Sequence, residues 1–147
     1  MRMKQRQKEL ALIWWGLFIV WLVLTVSLSG QDGSGSYALS NTVSSKPWQF
    51  FHKLFPNLEE SEFRFYVRKL AHFGIHFVLA FFCFRASRYT FKTRPAAFFV
   101  AVTLTITIAV FDELIQMEAP GRVSIPADAI INAVGAIIGT IVSLLFG

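Results

Sequence analysis

"FDELIQMEAPGRVSIPADAIINAVG" spans Phe111–Gly135 and sets Asp112, Glu113, Glu118, Arg122, Asp128 and Asn132 between two apolar runs. Its reading decides the fold. An ionised side chain at the centre of a bilayer costs at least about 2.5–3.5 kcal/mol, so a charged cluster beside apolar helices is either a water-facing connection or a functional site.

The flanking runs define the first alternative. Leu10–Leu28, Pro95–Phe111 and Ala129–Gly147 contain no charged residue. Each approaches the roughly 20 residues that a helix needs to cross a bilayer. Leu70–Phe84 is shorter and contains His72 and His76, but it reaches sufficient length if its helix starts upstream in "SEFRFYVRK". The chain of 147 residues is 54% hydrophobic with mean hydropathy +0.53 and 16 Phe, well above the range of soluble domains. These features predict an all-α integral membrane four-helix bundle. Its spans fall at about 10–29, 62–86, 95–117 and 127–146 in a single domain covering the chain, with an outer connection over 30–61. The first run exceeds the apolar core of a signal peptide, roughly 7–15 residues, and reads as a retained helix. Cys83 is the single cysteine, which excludes an intramolecular disulfide and a cysteine-based metal site.

Charge orients the bundle. Arg2, Lys4, Arg6 and Lys8 precede the first run, and Arg85, Arg88, Lys92 and Arg94 separate the second from the third. The positive-inside rule places both segments, and with them both termini, in the cytoplasm of a multi-pass protein of the cell's inner (plasma) membrane. The basic pI of 9.7 is then a topological signal and gives no reason to expect nucleic-acid binding. Within the outer connection, "GQDGSGSYALSNTVSS" reads as a Gly/Ser-rich loop. Trp48, Phe51 and Phe55 in the following "KPWQFFHKLFPNLEE" fall at i, i+3, i+7 and predict a short interfacial helix ended by Pro56. Asn57 or Ser61 is the expected cap of the next helix.

Two polar sets then meet at the outer face. Arg68, His72 and His76 recur at i, i+4, i+8, with Lys69 starting an adjacent stripe. Asp112, Glu113 and Gln116 close the third span, Pro120–Gly121 turn the chain beside Arg122, and Asp128 and Asn132 open the fourth. Glu118 reads as a solvated side chain. Gly135 and Gly139 form G-x-x-x-G, which lets a helix approach closely and offers a homo-oligomer a contact face.

"RKLAHF", followed by "DELIQ…APGR…PADAIINAVGAIIG" and preceded by the spaced serines of "SLSGQDGSGSYALSNTV", resembles the VanZ-like family of small bacterial membrane proteins. The resemblance covers about residues 20 to 145. It implies a multi-helix membrane domain, with a link in the founding member to low-level resistance to the glycopeptide teicoplanin. It also marks Arg68, Lys69, His72, Asp112, Glu113, Gln116, Pro120, Gly121, Arg122, Asp128, Asn132 and Gly135 as the residues matching the family's motifs. The family commonly has Glu-Tyr or Tyr shortly after its His-Phe pair, where this chain has Ile75 and His76.

Two functions compete on these residues. In the first, Arg68, Lys69, His72, Asp112, Glu113, Gln116, Arg122, Asp128 and Asn132 bind an anionic membrane lipid or a lipid-linked envelope precursor through charge-assisted hydrogen bonds. In the second, His72 is a general acid/base set by Asp112 or Glu113 and acts on a lipid-linked substrate. No nucleophile stands beside a base in a recognisable spacing, so catalytic residues stay unassigned and binding leads. No cofactor is expected. No ligand spacing supports a metal.

Overall fold

The computed structural model describes residues 2–121 and 126–146. Five helices follow one another: α1 (Arg2–Ser29), α2 (Gly33–Leu54), α3 (Glu60–Thr90), α4 (Arg94–Glu118) and α5 (Pro126–Leu145), with no strand among the described residues. All but α2 are long and apolar enough to cross a membrane. The bundle is inside-out relative to a soluble protein. Leu12 is 73% and Phe99 68% exposed, whereas His76 and Gln116 are 1% exposed and Asp128 and Asn132 are fully buried. Apolar surface outside and polar groups inside suit a lipid solvent. The chain is a multi-pass membrane protein.

α3 is the hub and packs on each of the other four helices. Its 31 residues run about 46 Å, longer than a hydrocarbon core of about 30 Å, so its charged N-terminal turns extend past the apolar layer. Its closest partner is α5, because Gly135 lies against the Phe73 carbonyl and Gly139 against the Phe77 carbonyl. Any Cβ at either glycine would collide with that backbone. The G-x-x-x-G face thus gives α3 the close helix approach that its small residues allow within the chain. Phe18, Leu79, Cys83, Phe84, Ala97 and Ala101 form the apolar core on the far side of the polar groups. Trp21 ties α1 to α3 by donating from Nε1 to the Ile75 carbonyl at 2.9 Å.

The main correction concerns the Gly/Ser-rich stretch. It is no loop: residues 33–54 form one helix that absorbs the expected interfacial segment and carries Pro47 in its interior. Asp32 caps it by accepting from the Gly35 amide at 2.7 Å, and that bond together with the Ser34 hydroxyl holds the Asp32 carboxyl below the usual carboxylate range. Thr42 and Ser44 direct their hydroxyls to the carbonyls four residues back. That hides their polarity from the apolar neighbours. Trp48 and Phe51 pack their rings at a tilt against Phe63 of α3, with centroids 5.5 and 5.4 Å from it. Tertiary packing thus overrides weak local propensity.

The start of α3 also differs from expectation. Glu59, not Asn57 or Ser61, occupies the N-cap position, and it makes no side-chain cap bond. At the other end of α2, Gly33 donates its amide to Pro120 at 2.9 Å and packs on Gly121, whose φ of 70° requires glycine. This contact pins the start of α2 to the turn after α4. The end of α1, the start of α2 and the end of α4 therefore lie at one end of the bundle.

Candidate functional site

That end holds the polar residues. Asp112 of α4 is 4% exposed and accepts three hydrogen bonds: from Ser29 of α1, from His76 Nε2 at 3.3 Å and from Gln116 Nε2 at 2.9 Å. Three donors from three helices replace the hydration that a buried carboxylate has lost.

Beside it, Glu113 accepts from Asn132 Nδ2 at 2.9 Å, and Asn132 Oδ1 faces His72 Nδ1 at 3.2 Å. Because the amide nitrogen is spent on Glu113, the amide oxygen is left to accept. His72 then donates from Nδ1, and the neutral ring with that tautomer keeps its lone pair on Nε2. His72 Nδ1 and Glu113 Oε1 are 3.9 Å apart, so Asn132 is the link between them. A third pair, Lys69 with Asp128, joins α3 to α5. Asp128 is thus an ion-pair partner as well as a first-turn acid favourable to the α5 dipole.

The sequence stripe Arg68, His72, His76 holds together as one wall of a cavity of about 160 Å³. Asp112 and Gln116 complete its polar side, with Thr25 and Ser29 from the end of α1 and Gln31 just beyond it. Leu39 and Val43 of α2, with Leu28, Val67, Ala71 and Ile75, supply its apolar side. Ser36 and Ser40 line this cavity and also a second hollow of about 310 Å³, which Tyr37, Arg64 and Gly121 border. Arg68 lines both hollows.

Of the residues named from sequence, Arg68, His72, Asp112 and Gln116 converge on the cavity, and Glu113 and Asn132 stand behind His72. Lys69 and Asp128 pair beside it. Glu118 is exposed, as expected of a solvated side chain. Arg122 lies outside the described residues.

Sequence reasoning left His76 out of the site, and Ser29 and α2 with it. His76 completed the i, i+4, i+8 stripe. Ser29 and Gln31 stood in the serine-rich segment that carried the family resemblance, and Ser36, Ser40 and Ser44 recur at helical spacing. His72, Asp112 and Glu113 each place one ligand-type atom within 4.8 Å of the others, so they are the described residues able to hold a metal.

A family model described as VanZ/LLP1 matches residues 14–147. No curated protein and no solved structure matches the chain.

Proposed function

The chain belongs to the VanZ/LLP1 family, and on that footing we propose that it modulates the cell envelope by binding an amphipathic ligand with an anionic headgroup. The ligand class is a membrane lipid or lipid-linked envelope precursor, taken from the outer leaflet with both termini of the protein in the cytoplasm. Altered susceptibility to glycopeptides such as teicoplanin is then a consequence of that binding. The observation that carries the reading is the composition of the cavity. Arg68 lies on the wall shared by two adjoining hollows, and α2 lines the smaller one with Leu39 and Val43. A guanidinium offers paired donors to a phosphate, and an apolar wall beside it suits an acyl or prenyl chain.

A second reading, an enzyme with His72 as general acid/base, is favoured by the Glu113–Asn132–His72 relay, which leaves Nε2 with its lone pair. Lipid extracts of cells with and without the gene separate the two. Binding alone leaves the set of lipid species unchanged while envelope behaviour changes. A lipid-linked species that accumulates or vanishes with the gene overturns the binding reading in favour of the enzyme.

A further inference from the structure

The polar floor has a property that lipid binding does not use. Asp112 and Glu113 are consecutive on α4, yet both are buried within a membrane-spanning helix, at 4% and 6% exposure. Two adjacent carboxylates in that setting repel one another and lose hydration together. With one ligand-type atom each from His72, Asp112 and Glu113 mutually within 4.8 Å, some point lies within 4.8 Å divided by the square root of three of all three. That is about 2.8 Å, so shifts of roughly 0.7 Å per side chain bring the donors to metal-bond length, about 2.0–2.2 Å.

The surroundings resemble the outer shell of a metal centre. Asp112 is oriented by Ser29, His76 and Gln116, and Asn132 holds Glu113 and His72 together. Such second partners fix ligand orientation in metal sites. Gln116, bonded to Asp112 through its Nε2, offers a further donor. Gln116 is 1% exposed and lines the same cavity, and its Oε1 has no hydrogen-bond partner among the described residues.

The geometry points to a divalent-cation site formed by His72, Asp112 and Glu113, with the Gln116 carbonyl oxygen as a fourth donor. One imidazole nitrogen and several oxygens suit a cation of the Mn²⁺ or Zn²⁺ type, and two carboxylates match its charge. Sequence spacing could not reveal the set, because its donors come from α3 and α4. The site stands by itself, whether or not the cavity above it takes a lipid.

The test uses the purified full chain in nanodiscs, stripped with chelator and titrated with Mn²⁺ alone, with free Mn²⁺ read by EPR. Wild type and Glu118→Gln, an exposed acid off the site, bind one saturable equivalent that Zn²⁺ displaces. Glu113→Gln and Asp112→Asn weaken binding at least tenfold. Should either variant fail to accumulate, wild-type protein carrying ¹⁵N-histidine keeps the proposal open to refutation, because bound Mn²⁺ must show electron-spin-echo coupling to an imidazole nitrogen. Absence of saturable binding, equal binding by all variants, or bound Mn²⁺ without nitrogen coupling overturns it.

Discussion

His72 Nδ1 stands 3.2 Å from Asn132 Oδ1, across 60 positions of sequence, and the other end of the same amide donates to Glu113 at 2.9 Å. One fully buried side chain thus ties α3, α4 and α5 together at the floor of the cavity. Asn132→Ala strands a proton donor on His72 and removes a donor from Glu113. A buried donor left unsatisfied costs about 1–3 kcal/mol. Thermal unfolding of the purified protein should show a clearly lower midpoint, with reduced membrane abundance. A midpoint equal to wild type would mean that the link is not structural.

Lys69 and Asp128 pair where Asp128 has no exposed surface. Lys69→Met leaves that carboxylate buried without its cation, a change that costs about 3 kcal/mol or more. Asp128→Asn added to Lys69→Met should recover much of the loss, since no uncompensated charge remains. The check is a double-mutant cycle of unfolding midpoints. Additive losses would show that the two residues act separately.

Gly139 faces the Phe77 carbonyl so closely that a side chain must push α5 from α3. Gly139→Val should destabilise by more than the about 1–3 kcal/mol of ordinary overpacking, because the obstacle is backbone. It should leave the mass of the protein in detergent unchanged, as measured by light scattering. A change of oligomeric state without loss of stability would make the glycine face a contact between copies.

The four spans, the meeting of both polar sets at one end and the α3 stripe were legible because apolar run length and i, i+4 spacing act locally. α2 was not. Its Gly and Ser content argues for a loop, and what makes it helical is distant: the Gly33–Gly121 approach, and Phe63 waiting under Trp48 and Phe51. A period was present in Ser36, Ser40 and Ser44, but serine at helical spacing reads as helix only once the burial of Ser44 is known. The pairing of His76 with Asp112 was likewise hidden, since the stripe names a face of α3 and not which α4 side chain meets it.

The charge division that orients the bundle has its own test. Reporters fused after Gly147 and within residues 34–45 should report a cytoplasmic C-terminus and an external α2. A C-terminal reporter active only outside the membrane would place the cavity at the cytoplasmic leaflet.

The central claim is that the cavity engages an anionic headgroup through Arg68. The most direct measurement is native mass spectrometry of the purified chain with phosphatidylglycerol, beside phosphatidylcholine as the zwitterionic control. The account predicts a retained phosphatidylglycerol adduct on wild type, lost by at least tenfold in Arg68→Gln and partly kept in Arg68→Lys, at matched thermal stability. An ammonium preserves charge but not the paired donors. Equal retention of both lipids by wild type, or an Arg68→Gln protein that holds phosphatidylglycerol as well as wild type does, would contradict it.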